Sequence, residues 1–391
     1  MSFGKLERRE GPAGPGARGW KGALARAIVR VERPIDEAVF RWKLAHDALD
    51  PLCVIAYRGF GTARSLNVRA RVLERFGLGA LRGGPTILQT MAHSLRRFST
   101  DEVPNALVRV RYGGATLEAR GDEEGYVDVA FPLERPPPAG ELWHRVEIEL
   151  VAPKARGQGE VIEIAPVLVP PPGARFAVVS DVDDTVIRSD AYRFVRHARA
   201  MLLEQAAGRE PFAGAAALYR ALEAGPSGRP QNPIFYASSS PTNVYDLFEE
   251  ILIEHGFPAG PIFLKDFGVN EETLFKAEHG QHKSKVIGRL ITTYPELPFV
   301  LVGDSGQEDA AIYRELVRSH PGRVAAVFIR DVRAKRRAAV EALAAEVRGE
   351  GVGMWLVRDS AEMAEHARRA GFIDDAAAAR VRREVERARG G

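Results

Sequence analysis

The chain has a single cysteine, Cys53, among its 391 residues. One thiol can form neither an internal disulfide nor a zinc site built from cysteines, and such sparse use of cysteine favours a reducing compartment. No uncharged stretch reaches the roughly 18 apolar residues that cross a bilayer, and residues 1–9 contain no apolar core of a signal peptide. These absences predict a cytoplasmic protein without a transmembrane segment.

The chain also has little net charge, +3 at neutral pH. Proteins that bind nucleic acid concentrate far more positive charge, so we expect no nucleic-acid partner. Hydrophobic residues make up 45% of the chain and charged residues 27%, which is typical of a globular protein. The length predicts two domains.

Residues 1–50 are predicted to be a disordered segment followed by an amphipathic helix. Trp20, Ile28 and Trp42 belong to an apolar stripe with helical spacing. The first half of that helix also carries basic residues, a composition found in helices that lie on anionic membranes. The same stripe could instead pack on the β-rich domain or on a second subunit, and this interpretation is favoured because amphipathic helices mostly face protein cores.

Residues 51–170 alternate polar and apolar side chains, as in Val108–Tyr112, which predicts a β-sandwich-like domain. After a Pro-rich linker, residues 174–373 combine uniformly apolar runs with helical segments, a pattern typical of a parallel α/β sheet. Residues 374–391 are predicted to form a separate, solvated C-terminal helix.

The strongest chemical signal is Ser180-Asp181-Val182-Asp183-Asp184-Thr185, which follows an apolar strand. Ligands of open parallel sheets bind at the carboxyl ends of the strands. Carboxylates crowded there repel one another unless a divalent cation neutralises them. An acidic loop that caps the next helix is the simpler alternative, but a strand seldom ends directly in so many carboxylates.

A second strand ends in Gly303-Asp304, with Asp309 five positions further on. The sequence Gly-Asp-Ser-Gly around Ser305 also occurs at the nucleophile of serine proteases. That interpretation is disfavoured, because the loop is predicted to lie between a parallel strand and the helix 309–319 rather than in a β-barrel with an upstream His and Asp.

Two further positions complete the candidate site. Ser238 ends a third apolar strand, where its hydroxyl and nearby backbone N–H groups suit a phosphate oxygen, whereas Ser240 and Pro241 are predicted to be the N-cap and first residue of a helix. Lys283 opens another helix and would supply the fixed cation that the carboxylates need. Lys285 is its rival.

These four motifs, in this order, resemble those of the haloacid dehalogenase superfamily of phosphohydrolases. Residues 174–332 are further similar to the catalytic domain of the actin-patch-type phosphatidate phosphatases and their bacterial relatives. The segments that carry this similarity are Ser180-Asp-Val-Asp-Asp-Thr185, Tyr236-Ala-Ser-Ser-Ser-Pro241, Gly256-Phe-Pro-Ala-Gly-Pro261, His282-Lys283 and Gly303-Asp-Ser-Gly-Gln307. One departure is Thr242, where the family is expected to have an aromatic residue.

The resemblance implies a haloacid-dehalogenase-like Rossmannoid parallel sheet and covalent catalysis. Asp181 would attack phosphorus to form an aspartyl-phosphate, and Asp183 would protonate the leaving oxygen and then activate water. Mg²⁺ would be held by Asp181, the backbone carbonyl of Asp183 and Asp304. The phosphate would be bound by Thr185, Ser238 and Lys283, with Asp309 in support, while Asp184 shapes the loop.

The spacing of the motifs leaves no room for a large cap domain. An open site agrees with a lipid substrate, so the resemblance implies hydrolysis of phosphatidate to diacylglycerol and phosphate, with peripheral contact to the membrane. The same chemistry on another phosphomonoester or a phosphoprotein is the alternative. A non-catalytic binding module is a second alternative, which the intact acid, base and metal ligands disfavour.

Overall fold

The structure is a computed structural model that describes residues 40–74, 102–182, 212–265 and 279–390. Its N-terminal half is β-rich. The strands of this half are β1 (Leu52–Ala56), β2 (Gly59–Gly61), β3 (Ser65–Glu74), β4 (Leu107–Tyr112), β5 (Ala115–Arg120), β6 (Tyr126–Pro132), β7 (Trp143–Ala152) and β8 (Ile162–Leu168). They form one hydrogen-bonded sheet in the order β1-β3-β2-β8-β7-β4-β5, with β6 also paired to β3. All of these pairs are antiparallel except β2 with β8.

Alternation of side chains along these strands separates a core face from a charged face. In β4, Val108 and Val110 are buried in the core of this half, whereas Arg109 and Arg111 point away from it. The two arginines pair there with glutamates of the neighbouring strands β5 and β7. The period-two pattern of the sequence therefore corresponds to alternating buried and exposed side chains along the strand.

Among the described residues, the second half contains six strands, all paired in parallel. They are β9 (Ala177–Asp181), β10 (Ile234–Pro241), β11 (Ile262–Lys265), β12 (Phe299–Asp304), β13 (Val324–Arg330) and β14 (Gly353–Val357), in the sheet order β11-β10-β9-β12-β13-β14. The helices are α1 (Ala215–Ala224), α2 (Tyr245–Glu254), α3 (His279–Thr293), α4 (Asp309–Ser319), α5 (Arg337–Gly349), α6 (Ser360–Arg369) and α7 (Asp375–Gly390). The α/β class predicted for this half is confirmed.

Helices cover both faces of the parallel sheet, which is why its central strands are apolar throughout. In β9, Val178 packs into one hydrophobic cluster and Val179 into another on the opposite face. The first cluster includes side chains of α1, α2, α6 and α7, and the second includes side chains of α3, α4 and α5. The carboxyl ends of β9 and β12, which are neighbours in the sheet, therefore lie side by side at one edge.

The predicted C-terminal helix is present as α7, but the prediction that it is solvated is wrong. Ala377, Val381 and Val385 of α7 are buried, and Ala377 and Val381 belong to the hydrophobic cluster that contains α1. A Cβ atom on Gly214, just before α1, would lie 2.9 Å from Val385. Small residues on both sides thus let α7 pack closely against the start of α1. The sequence did not indicate this buried stripe, because α7 also carries many charged residues.

The predicted helix Trp20–Trp42 lies mostly outside the described residues. Its end is helical at residues 40–45, and Phe40 packs against the core of the β-rich half. The buried carboxylate of Glu74 accepts hydrogen bonds from Lys43 Nζ at 3.0 Å and from the Asp50 amide at 2.6 Å. This end of the helix is therefore attached to the β-rich half. No helix among the described residues is long and apolar enough to cross a membrane.

The two halves share buried aromatic contacts. Phe60 of β2 lies 5.5 Å from Phe263 of β11, and Tyr57 lies 4.7 Å from Tyr245 of α2, both measured between ring centroids. The Arg58 amide donates to the Tyr245 hydroxyl at 3.1 Å. The edge of the parallel sheet is thus packed against the β-rich half.

Candidate active site

Three buried carboxylates meet at the carboxyl edge of the parallel sheet. Asp181 ends β9, Asp304 ends the neighbouring strand β12, and Asp309 is the first residue of α4. Each is at most 1% exposed. One oxygen atom of each carboxylate lies within 4.8 Å of the others. Three of the acidic residues singled out in the sequence are therefore together in space.

Gly303 makes this approach possible. A Cβ atom at this position would lie 2.5 Å from Asp309 Oδ2, a distance at which side chains clash. Without that atom, the Asp309 carboxylate folds back over the end of β12, where its Oδ2 accepts the Asp304 amide at 3.2 Å. The glycine of the motif is therefore required for packing within the site.

Lys283 supplies a buried cation between two of the carboxylates. Its Nζ lies 2.8 Å from Asp181 Oδ1 and 2.6 Å from Asp309 Oδ1, and the residue is 1% exposed. Burial alone lowers the pKa of the Lys283 ammonium, but the negative charges of Asp181 and Asp309 outweigh it and raise that pKa above its usual value. Lys283 is thus a permanent cation, whereas its rival Lys285 is exposed on the same helix.

Asp304 has one hydrogen-bonded carboxylate oxygen and one without a hydrogen-bond partner among the described residues. Its Oδ1 accepts hydrogen bonds from the amides of Gly306 and Gln307, the latter at 3.1 Å. Its Oδ2 is buried and has no hydrogen-bond partner within the described ranges. Burial, together with the nearby charge of Asp309, raises the pKa of Asp304 to about 6. A buried carboxylate oxygen of this kind fits a divalent cation, because hard cations bind oxygen ligands and remove the cost of burying negative charge.

The loop after β10 differs from the prediction in its helix start. Ser238 is buried, and its Oγ accepts the Ser240 amide at 2.9 Å. The strand continues to Pro241 and is followed by a 3-10 turn at Thr242–Val244, without a side-chain cap. The predicted roles of Ser240 as N-cap and Pro241 as first helical residue are therefore wrong, because the strand keeps extended geometry through both.

The serine-nucleophile alternative is not supported by the surroundings of Ser305. Its Oγ accepts the amides of Val332 and Arg333, each at 3.0 Å. A nucleophilic serine needs a base to take its proton, and these partners are backbone donors. Ser305 instead connects the loop after β12 to the loop after β13.

Sequence reasoning missed the contact between Ser180 and Tyr219, which lies next to Asp181. Ser180 Oγ donates to the Asp181 carbonyl at 2.6 Å and lies 2.5 Å from the hydroxyl of Tyr219 on α1. Burial raises the pKa of Tyr219, so the hydroxyl keeps its proton. Tyr219 belongs to no motif, and its spacing from Ser180 carries no signal. The predicted positions Asp183, Asp184 and Thr185 lie outside the described residues.

Part of this chain is similar to a known family and to curated proteins. Residues 176–331 match the family model of the catalytic domain of phosphatidate phosphatase APP1. Phosphatidate phosphatase APP1 of Saccharomyces cerevisiae is 32% identical over 96 residues, which are 25% of this chain and 16% of the yeast protein. An uncharacterized protein of Schizosaccharomyces pombe is 22% identical over 157 residues, 40% of this chain and 25% of that protein. The chain thus spans about a quarter or less of these relatives.

Solved structures add no argument about activity. A carbohydrate acetylesterase from Xanthomonas citri aligns over 74% of this chain and 72% of its own, with 14% identity and a TM-score of 0.24. The family match, in contrast, includes the buried carboxylates and Lys283, and its bounds agree with the resemblance predicted for residues 174–332. Residues 176–331 are therefore similar to the catalytic domain of phosphatidate phosphatase APP1.

Proposed function

We propose that this chain is a Mg²⁺-dependent phosphatase that hydrolyses phosphatidate to diacylglycerol and phosphate. One observation carries the proposal: Lys283 Nζ lies between the buried carboxylates of Asp181 and Asp309, beside a third carboxylate, Asp304, with an unsatisfied oxygen. Phosphoryl transfer to a carboxylate needs a nucleophile, a fixed positive charge and oxygen ligands for a metal ion. The two strand ends and Lys283 bring these groups together. The match of residues 176–331 to the catalytic-domain model of phosphatidate phosphatase APP1 supports the choice of substrate.

Asp181 is the proposed nucleophile. Its carboxylate attacks phosphorus, the bond from phosphorus to the ester oxygen breaks, and Asp183 gives that oxygen a proton, so that diacylglycerol leaves. Water then attacks the aspartyl-phosphate after losing a proton to Asp183, which releases phosphate and restores Asp181. The ammonium of Lys283, 2.8 Å away, stabilises the negative charge of the Asp181 carboxylate.

Asp181, Asp304 and the backbone carbonyl of Asp183 are the proposed ligands of Mg²⁺. When bound, the cation neutralises the charge between nucleophile and phosphoryl group. Asp309 holds Lys283 in place through its contact at 2.6 Å. Lys283, Ser238 and Thr185 are the proposed phosphate-binding residues. Ser238 is buried and directly follows Ala237, the residue of β10 that pairs with Asp181, which suits that role.

The proposal extends to the architecture. The parallel sheet in residues 174–373 would be a haloacid-dehalogenase-like fold without a large cap, following a β-sandwich-like domain in residues 51–170. The position of the candidate nucleophile at the end of the central strand β9 supports this. A substrate held in a bilayer would also require peripheral contact between the protein and the membrane.

A phosphate-release panel tests the function. Phosphatidate vesicles, soluble phosphomonoesters and a phosphopeptide are compared at equal concentration, each with Mg²⁺ and with excess chelator. We expect the highest kcat/KM with phosphatidate and reversible loss of activity in chelator. A preference for a soluble ester or the phosphopeptide would assign the same chemistry to another substrate, and no turnover of any compound would favour a binding module.

A further inference from the structure

A cleft of about 390 Å³ lies between the β-rich half and the edge of the parallel sheet. One wall comes from β2, β3 and β6, and the other from β11, α3 and the turn after β10. Its size falls at the lower end of ordinary small-molecule sites. The cleft is therefore a candidate binding site that both halves of the chain build.

The floor of the cleft is apolar. Phe60, Phe263 and Val286 line it together with neighbouring aliphatic residues of β11. The two phenylalanine rings meet edge to face with centroids 5.5 Å apart. Since Phe60 comes from β2 and Phe263 from β11, the apolar surface continues across the boundary between the two halves. Such a floor suits hydrocarbon.

Cations line the same cleft. Arg58 forms an ion pair with Glu249 at 3.2 Å, but its Nη1 atom is buried without a hydrogen-bond partner in the described part of the chain. Arg289 of α3 lies above the ring of Phe60 at 5.1 Å and donates to Asn67 Oδ1 at 3.2 Å. One unpartnered donor, Arg58 Nη1, and the exposed guanidinium of Arg289 beside an apolar floor fit a ligand with both oxygen acceptors and a hydrocarbon part.

The cleft adjoins the candidate active site through α3. Lys283, on one face of this helix, contacts Asp181. His282, Val286 and Arg289 recur at helical spacing on the adjacent face and line the cleft. Thr242, four residues after Ser238, lines it as well. The helix that holds the phosphate-site cation therefore also forms one wall of the cleft.

We propose that this cleft binds the glycerol-ester portion and the first methylene groups of one acyl chain of the lipid substrate. The apolar floor takes the methylenes, and the guanidinium groups of Arg58 and Arg289 donate to the ester carbonyl oxygens. This inference rests on the proposed function, because it assumes a phosphorylated glycerolipid at the adjoining site. It gives the β-rich half a direct part in substrate selection.

The test uses dibutanoyl, dihexanoyl and dioctanoyl phosphatidate below their critical micelle concentrations, with p-nitrophenyl phosphate as a substrate that has no acyl chain. For the full-length protein we expect kcat/KM to rise with chain length, by up to about fourfold for each methylene that becomes buried. Val286→Trp fills the floor and should abolish this rise while turnover of p-nitrophenyl phosphate stays within twofold. Ile253→Trp, at a residue 62% exposed on α2, is the matched control and should behave as wild type.

Retention of the wild-type chain-length dependence by Val286→Trp would overturn the inference, as would equal loss of all four substrates. If Val286→Trp does not fold, Arg289→Gln is the second test. This variant should raise KM for dioctanoyl phosphatidate severalfold, while kcat and the turnover of p-nitrophenyl phosphate stay unchanged. An unchanged KM would overturn the inference. The proposed function fails by a different result, namely turnover of p-nitrophenyl phosphate without turnover of any phosphatidate by the wild type.

Discussion

The two sheets of this protein place their charged side chains in opposite environments. In the β-rich half, Arg109 and Arg111 meet their glutamate partners on an outer face, where the arginine side chains are 31% and 38% exposed. In the parallel sheet, Asp181, Asp304 and Lys283 are buried at the carboxyl edge. Ion pairs on the outer face cost little free energy to form and contribute little to stability. Charges at the carboxyl edge of the parallel sheet cost much free energy to bury, and such charges cluster at functional sites.

The largest effect is expected from the candidate nucleophile. Asp181→Asn keeps the shape of the side chain but replaces the attacking carboxylate by an amide, so turnover should fall by at least about a thousandfold. Asp375→Asn makes the same chemical change at a residue 89% exposed on α7 and should leave phosphate release unchanged. Activity of Asp181→Asn near that of the wild type would refute the assignment.

The next effect separates Lys283 from Lys285. Lys283→Met removes the cation between Asp181 and Asp309, and breaking such a buried pair costs about 3–5 kcal/mol. We expect a lower Tm, partly restored by Mg²⁺, and loss of turnover. Lys285→Met should match the wild type in both measurements, because Lys285 is exposed. Equal effects of the two substitutions would contradict this distinction.

Asp304→Asn tests the metal site with two readouts. Mg²⁺ affinity, measured by calorimetry, should fall by about 100-fold or more, because a ligand is lost. The pKa of Asp304 is raised to about 6 in the folded protein, compared with about 4 in the unfolded chain. Without metal, ionisation of Asp304 therefore lowers the stability of the fold as pH rises from about 4, and this loss is complete above about pH 6. The variant should therefore melt higher than the wild type at pH 7.5 in chelator, and this advantage should vanish near pH 4. A lower Tm at pH 7.5 would contradict it.

The smallest effect is expected on the outer face of the β-rich half. Arg109→Gln removes ion pairs to Glu118 at 2.8 Å and Glu149 at 2.9 Å. Because water screens the pair with Glu118, whose side chain is 47% exposed, and Arg111 still pairs with Glu149, Tm should change by about 2 °C or less, and the change should shrink further in high salt. A decrease in Tm as large as that of Lys283→Met would show that the charged pairs of the two sheets contribute equally to stability.

The sequence predicted the central elements best, since long apolar runs and the motifs that follow them depend on local spacing. Strands β9 and β12 and the residues Asp181, Asp304 and Asp309 were all visible in this way. The short edge strands β11 and β14 were missed, because few residues carry their pattern. The Ser180–Tyr219 contact, the buried stripe of α7 and the cleft between the halves depend on residues brought together only by folding, for which local patterns carry no signal.

The contacts of the Ser305 hydroxyl have a further consequence for the rate of encounter with substrate. By accepting the amides of Val332 and Arg333, this hydroxyl ties two loops into one unit at the edge of the site. Arg336 reinforces it by donating to the carbonyl oxygens of Gly306 and Gln307. The exposed residues Arg333 and Arg336 are therefore held next to the loop whose Gly306 and Gln307 amides donate to Asp304. A fixed positive field there attracts phosphate esters over a distance of about one Debye length, about 8 Å in physiological salt, so the association rate should fall as ionic strength rises while the chemical step stays constant.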